Sequence, residues 1–366
     1  MRFLFLVQGE GRGHMTQAIS LFKLLTGSGH EVASVLIGKS PQRVIPDFFY
    51  QQIKCPVKTY CSPNFVVDGK QKGIRVFSSV LYNLKRFKTF RKELRFISDT
   101  IQELEPDVVI NFYELMAGLC YMVHKPMAPM ICIAHQYLIF HNRFTFPRGK
   151  YFSRFLLKSH TRVTSFGAKR MLALSFRSLT SIPEKRIYVV PPLLRPRVLE
   201  IAPTNEGFIL GYILNSGYAK EIADWHLKHQ DVKICIFWDK KEADEVTEVH
   251  DNFTLHKIND KTFLEFMGKC MGFSSTAGFE SICEAMYLKK PILMIPTRGH
   301  FEQECNAVDA QKAGAGIVDD HFNLSRLLQF IEHYKPDHNS YTEWVQKANP
   351  LFLRYLTSGF DPGLKT

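Results

Sequence analysis

The chain has 366 residues, more than one typical domain, and 45% of them are apolar, an ordinary share for a globular protein. No apolar run approaches the ~18 residues of a membrane-spanning helix, so no such helix is expected. The net charge of +12 is uneven: residues 1–200 hold 30 Lys+Arg against 12 Asp+Glu, and residues 201–366 hold 17 against 23. A basic first half points toward an anionic surface or acceptor.

Arg2 to Gln8 is apolar without clear alternation, which predicts a buried parallel strand, not a signal peptide. The loop Gly9-Glu10-Gly11-Arg12-Gly13-His14 follows, then an amphipathic helix over Met15 to Leu25 and a second strand over Glu31 to Ile37. This is a β-α-β unit. It is not a dinucleotide fingerprint, because His14 stands where the third glycine of G-x-G-x-x-G belongs and no acidic residue closes the second strand. Residues 41–75 are irregular. Val80 to Leu104 predicts a helix with Leu84, Phe87, Phe90, Leu94 and Ile97 near a 3.6 period and Lys or Arg between them. That pattern suits a membrane-surface helix and a surface helix packed on a core equally well.

Pro106 to Asn111 predicts another buried strand, followed by Glu114 and a small-residue turn at Ala117-Gly118. Met130 to Ala134 is strand-like and ends at His135-Gln136. From Tyr137 to Lys158 aromatic and basic residues interleave without any nucleic-acid-binding signature, so no nucleic acid is expected, and an interfacial patch or a lid fits better. Pro191, Pro192, Pro196 and Pro203 mark a linker. Beyond it, Gly207 to Leu214, Val232 to Trp238 and Phe253 to Ile258 predict strands, and Lys261 to Lys269 a helix. Asn215-Ser216-Gly217 is a turn suited to touch phosphate, and Tyr341 to Leu356 reads as a last helix. The eight cysteines form no C-x-x-C pair and lie mostly in apolar segments, which fits reduced thiols in the cytoplasm and argues against a metal site.

The most informative stretch is Phe273 to Gly316. Small residues, Ser274 to Gly278, precede a helix over Phe279 to Leu288 that carries Glu280 and Glu284. A small-residue turn lets a ligand approach the backbone, and the free N–H groups of the helix start then face an anion. Glu284 lies too far into the helix to cap it and suits the two hydroxyls of a ribose. Both glutamates could equally be solvated face residues. Pro291 to Pro296 predicts a buried strand, and Glu302, Gln303 and Asn306 follow it, where open α/β sheets bind ligands.

As a spaced set, Gly278, Glu284, Pro291, Glu302-Gln303 and Gln303-Glu304-Cys305-Asn306-Ala307 resemble the donor site of the MurG-like GT-B glycosyltransferases, of families 28 and 1, that use UDP-sugars. The resemblance implies an α/β GT-B fold, two Rossmann-like domains facing a cleft. The boundaries would be 1–192 for an acceptor domain, 193–206 for a linker, 207–340 for a nucleotide-sugar domain, and 341–366 for a helix crossing back. It implies donor contacts from Gly11, Gly13, Ile258, Ser275, Thr276, Ala277, Gly278, Phe279, Ser281, Glu284, Glu302, Gln303 and Asn306. It makes His14 the candidate general base, with helix capping and phosphate binding as the other roles open to it. Glu114 is the candidate acid to orient His14, although many relatives carry an aspartate where this chain has Asn111 and Phe112.

The implied reaction is inverting transfer of a hexosyl or N-acetylhexosaminyl group from a UDP-sugar, without cofactor or metal, to a hydroxyl of an anionic, lipid-linked or cell-envelope glycan acceptor. The basic first domain would act at the inner face of the membrane. A UDP-GlcNAc 2-epimerase-like isomerase and a non-catalytic sugar-nucleotide-binding protein are the alternatives, since the same donor motif serves all three.

Overall fold

The computed structural model describes residues 1–63, 66–67, 74–75, 86–213, 216–240, 244–335 and 339–360. Leu84 and the phosphate-turn residue Asn215 lie outside them.

The first sheet contains β1 (Arg2–Gln8), β2 (Glu31–Lys39) and β3 (Val57–Cys61), and, after a short β4–β5 ladder (Val66–Val67 with Ile74–Arg75), β6 (Val108–Phe112), β7 (Met130–Ala134), β8 (Arg170–Leu174) and β9 (Ile187–Val190). Its order is β3-β2-β1-β6-β7-β8-β9, and every neighbour is parallel. β6 and β7 are buried at every position, which is why their sequences run apolar without alternation.

The second sheet comprises β10 (Phe208–Ile213), β11 (Lys233–Trp238), β12 (Val246–His250), β13 (Phe253–Lys257), β14 (Gly272–Ser275), β15 (Ile292–Met294) and β16 (Gly316–Val318). Its order is β12-β13-β11-β10-β14-β15-β16, with only β12 antiparallel to its neighbour.

The two sheets make the two Rossmann-like halves of a GT-B fold. In each, strand order reverses once, between β1 and β6 and between β10 and β14. Ligands of open parallel sheets bind beyond the strand ends at such a switch point. His14 lies in the first turn of the helix that follows β1, Glu114 in the connection after β6, and Thr276 to Gly278 in the loop leaving β14. Topology therefore brings each half's candidates to its own switch point.

Three local expectations need correction. Ala117-Gly118 is no turn but lies inside the helix Leu115–Val123. A Cβ on Gly118 would meet the Val163 carbonyl oxygen at 1.8 Å, so this glycine serves a close helix crossing with Tyr151–Thr164. β8 was missed, because Arg170-Met171-Leu172-Ala173-Leu174 carries no β-branched residue. The C-terminal segment is two helices, Ser340–Gln346 and Ala348–Thr357. Trp344 Nε1 donates to the Ser175 carbonyl at 2.9 Å, and Arg170 binds the Tyr355 carbonyl, so these helices pack on the first half.

Candidate active site

The glycine loop closes the distance between the halves. Gly11 caps the helix Arg12–Gly27 without any side-chain bond, so His14 does not cap it. A Cβ on Gly13 would sit 3.3 Å from Glu280 Cγ, in the first turn of the helix Phe279–Tyr287. Gln17, one helical turn after His14, donates from Nε2 to Glu280 Oε1 at 2.5 Å. Arg12 faces Asp239 of the second half at 3.7 Å.

That bond also orients Gln17. Its amide oxygen faces His14 Nδ1 at 3.4 Å, so Nδ1 carries the proton and Nε2 keeps its lone pair. His14 is 9% exposed, and its ring stacks on Tyr113 at 5.7 Å. Burial pushes its pKa below the usual histidine value, against the opposing pull of Glu302 and Gln17. A neutral imidazole with a free Nε2 is the form a general base requires.

Glu114 does not orient it. Glu114 Oε1 accepts from Ser62 Oγ at 2.6 Å and, as an N-cap, from Met116 N at 3.1 Å. Its carboxyl fills the space where Gly38 lacks a side chain. Burial raises its pKa to about 7. The backbone explains the difference: Tyr113 takes a positive φ of 57°, and Tyr113, not Glu114, lies on His14. Asn111 stabilises that turn, accepting from Glu114 N at 2.7 Å and donating to the Thr164 carbonyl at 2.8 Å.

The carboxylate in this region is Glu302, from the second half. Gln136 Nε2 donates to Glu302 Oε1 at 2.8 Å across the cleft. Its charge opposes the burial-lowered pKa of His14, His135 and His160. Gln303 Oε1 accepts from Thr297 N at 2.8 Å, and Asn306 Nδ2 donates to the Ala277 carbonyl at 3.1 Å, so both brace the loops around the cleft.

A family model described as "Glycosyl transferase family 1" matches residues 1–334. The chain belongs to that family. A protein named an uncharacterized glycosyltransferase, from Methanosarcina acetivorans, is 23% identical over 332 residues, covering 86% of this chain and 85% of its own. In fold, the chain is similar to CalG4, the calicheamicin glycosyltransferase, with a TM-score of 0.65 and 12% identity over 100% of both chains. It is also similar to Acinetobacter baumannii MurG, with a TM-score of 0.56 and 15% identity over 97% of this chain and 98% of the other.

The glycosyltransferase arranges the residues expected at a donor site differently from the simple expectation. Ser275, Thr276 and Ala277 are buried beneath the turn that Gly278 closes, and Gly278 caps the helix without a side-chain bond. Ser281 is half-buried one turn on, and Ile258 is partly buried at the end of β13. Phe279 turns toward the first half, its ring stacked on His135 at 4.3 Å. Glu284 is 1% exposed, and both its oxygens accept from Arg195 at 2.6 Å. Burial works against the charge of Arg195, but Glu284 and Asp260 raise its pKa above the usual value. A carboxylate has about four acceptor sites, so this fork leaves about two for other donors.

Several of these residues carry no motif. Arg195 lies in the linker, 89 positions from its partner. Buried Asp309 pairs with Arg177 at 3.0 Å and faces His135 Nε2 at 3.9 Å, joining the halves below Phe279. Its one sequence signal is spacing, three residues after Asn306 on the same helix face. Among the described residues, no three His, Cys, Asp or Glu side chains are placed to share a metal ion.

Proposed function

We propose that this glycosyltransferase moves a hexose or N-acetylhexosamine from a UDP-sugar to an acceptor hydroxyl in one inverting displacement. The observation that carries the reading is the chain Glu280–Gln17–His14, which ties the start of the donor helix to the candidate base across the cleft.

In this reading the diphosphate lies at the N-terminus of the helix Phe279–Tyr287, where free N–H groups neutralise it beside Ser275 to Gly278 and the glycines of the first loop. The ribose hydroxyls take the acceptor sites of Glu284 that Arg195 leaves open. Glu302 and Gln303 face the sugar. The acceptor oxygen gives its proton to His14 Nε2 and bonds to the anomeric carbon. The bond from that carbon to the phosphate oxygen breaks, and UDP leaves with the electron pair. The protein itself supplies the neutralising charge, and no metal takes part in these steps.

Incubation with a panel of UDP-sugars and candidate lipid-linked or anionic acceptors, read by mass spectrometry, tests this. A glycosylated product supports it. A changed epimer of the free UDP-sugar would replace it with isomerase chemistry, and unchanged nucleotide under all conditions would leave a binding protein.

The acceptor side favours a membrane-borne substrate. No helix among the described residues is long and apolar enough to cross a membrane. The helix Tyr151–Thr164 nevertheless presents Tyr151 at 79%, Phe152 at 69% and Phe155 at 62% exposure, and carries Arg154 and Lys158, while Lys150 before it pairs with Glu304 at 2.6 Å. Apolar rings among cations suit the interface of an anionic leaflet, where each Lys or Arg contributes ~1 kcal/mol. Sedimentation with vesicles should show binding that requires anionic lipid, fades with salt, and drops when Phe152 and Phe155 become Ser. Association indifferent to salt and to both substitutions would favour a water-soluble acceptor.

A further inference from the structure

Glu280 has no part in the reaction as written. It is the second residue of the helix Phe279–Tyr287 and 9% exposed, so it is no solvated face residue. Oε1 accepts from Gln17, whereas Oε2 is buried with no hydrogen-bond partner. The glycine loop packs against it, since a Cβ at position 13 would stand 3.3 Å from its Cγ. A buried oxygen without a partner is costly, and a native site resolves such a cost with a ligand or a proton.

We propose that Glu280 is a protonated carboxylic acid whose Oε2–H donates to the diphosphate of the nucleotide donor. This rests on the donor-site reading above and deepens it. The proton has a clear origin in the surroundings. Burial pushes the Glu280 pKa up to about 8, Glu284 adds to the rise, and the Gln17 bond and Arg195 oppose it. Cys283 and Tyr341 also face this carboxyl, and burial holds both pKa values well above their usual range, so neither titrates near pH 8. With Oε1 accepting from Gln17, the hydroxyl falls on Oε2. That hydroxyl adds a third kind of donor to the helix N-terminus and the glycine loop. It also explains how a carboxyl occupies an anion site: in its acid form it carries no charge to repel the phosphate.

The sign of the pH effect follows. Below pH 8 the acid form is already present, so donor affinity does not depend on Glu280 titration. Above pH 8 the free site loses its proton, and the negative charge of bound UDP raises the pKa further, so binding must take a proton up. UDP affinity of the full-length protein should then fall by about tenfold per pH unit above 8. Glu280→Gln, which keeps both the acceptor for Gln17 and a donor in the place of Oε2 but has no proton to lose, should show no such fall with pH, whatever its affinity at neutral pH. The comparison cancels titration of the uracil ring, which both proteins share.

Calorimetric titration with UDP between about pH 7 and 9 reads this. Identical pH profiles for the wild type and Glu280→Gln would overturn the assignment while leaving the donor site intact. Should the variant misfold, the wild type alone decides, through buffers of different ionisation enthalpy at about pH 8.5. Proton uptake on UDP binding supports the assignment, and buffer-independent heat overturns it. No UDP binding at any pH would overturn the donor-site reading and this proposal with it.

Discussion

His14→Ala should lower turnover by about 10²–10⁴-fold, the usual contribution of a general base, while UDP affinity stays nearly unchanged. The structure gives reasons for both halves of this result. His14 is neutral by burial, its Nδ1 proton is held by Gln17, and its ring is stacked on Tyr113. All three leave Nε2 as the basic atom. The sign of the pH effect is set by the lowered pKa: activity persists below the ordinary histidine value of about 6.5 and falls only as the imidazole itself protonates. Gln17→Ala should shift that acid limb with a smaller loss of turnover, because it removes the bond that selects the tautomer without removing the base. A parallel loss of UDP affinity in His14→Ala would assign the imidazole to phosphate binding. Full activity per folded molecule would remove it from the mechanism, and Glu302 would become the candidate base, as the carboxylate electrostatically coupled to His14, His135 and His160.

Arg195→Ala should destabilise the fold by ~3–5 kcal/mol, the cost of leaving a buried charge without its partner. Glu284 is 1% exposed and four residues from Glu280, so the unpaired carboxylate has no solvent to turn to. Denaturant unfolding measures this. Glu284→Ala should instead show its main effect in calorimetry, weakening UDP by ~1.5–3 kcal/mol as a charged hydrogen bond to the ribose is lost. The double variant separates the two roles of Glu284. It should regain much of the stability lost in Arg195→Ala, since no charge remains buried, yet bind UDP no better than Glu284→Ala. If folded Glu284→Ala binds UDP as the wild type does, the glutamate is only the partner of a linker arginine and the ribose lies elsewhere.

The fold class was legible in the sequence because parallel strands buried on both faces need runs such as Phe3-Leu4-Phe5-Leu6-Val7 and Val108-Val109-Ile110, and both are fully buried. The turn-helix-strand unit within residues 273–316 was legible for a related reason. A turn of small residues, a helix and a strand lie in one continuous segment, so spacing along the chain is also spacing in space. The two-domain arrangement came from the family resemblance, and the strand order with its switch points from the structure.

What the tertiary structure alone decided concerns pairs distant in the chain. Nothing in the local pattern places Arg195 on Glu284, Gln17 on Glu280 or Gln136 on Glu302, because each pair joins the two halves or the linker to one of them. Periodicity states which face of an element is buried, not which side chain from the other domain meets it. The exchange of Glu114 for Tyr113 beside His14 is subtler. One positive φ at Tyr113 selects which of two adjacent side chains lies on the histidine, and a non-glycine residue in that region is held there by surrounding contacts, here the Asn111 bonds and the Tyr113 hydroxyl bound to Thr161 at 2.8 Å. The sequence determined the buried apolar strands from which two Rossmann-like halves are built. Packing across the cleft decided which of the residues that meet there are neutral, which are paired, and which face one another, because burial and charge pairing are properties of the assembled interface and not of any segment of the chain.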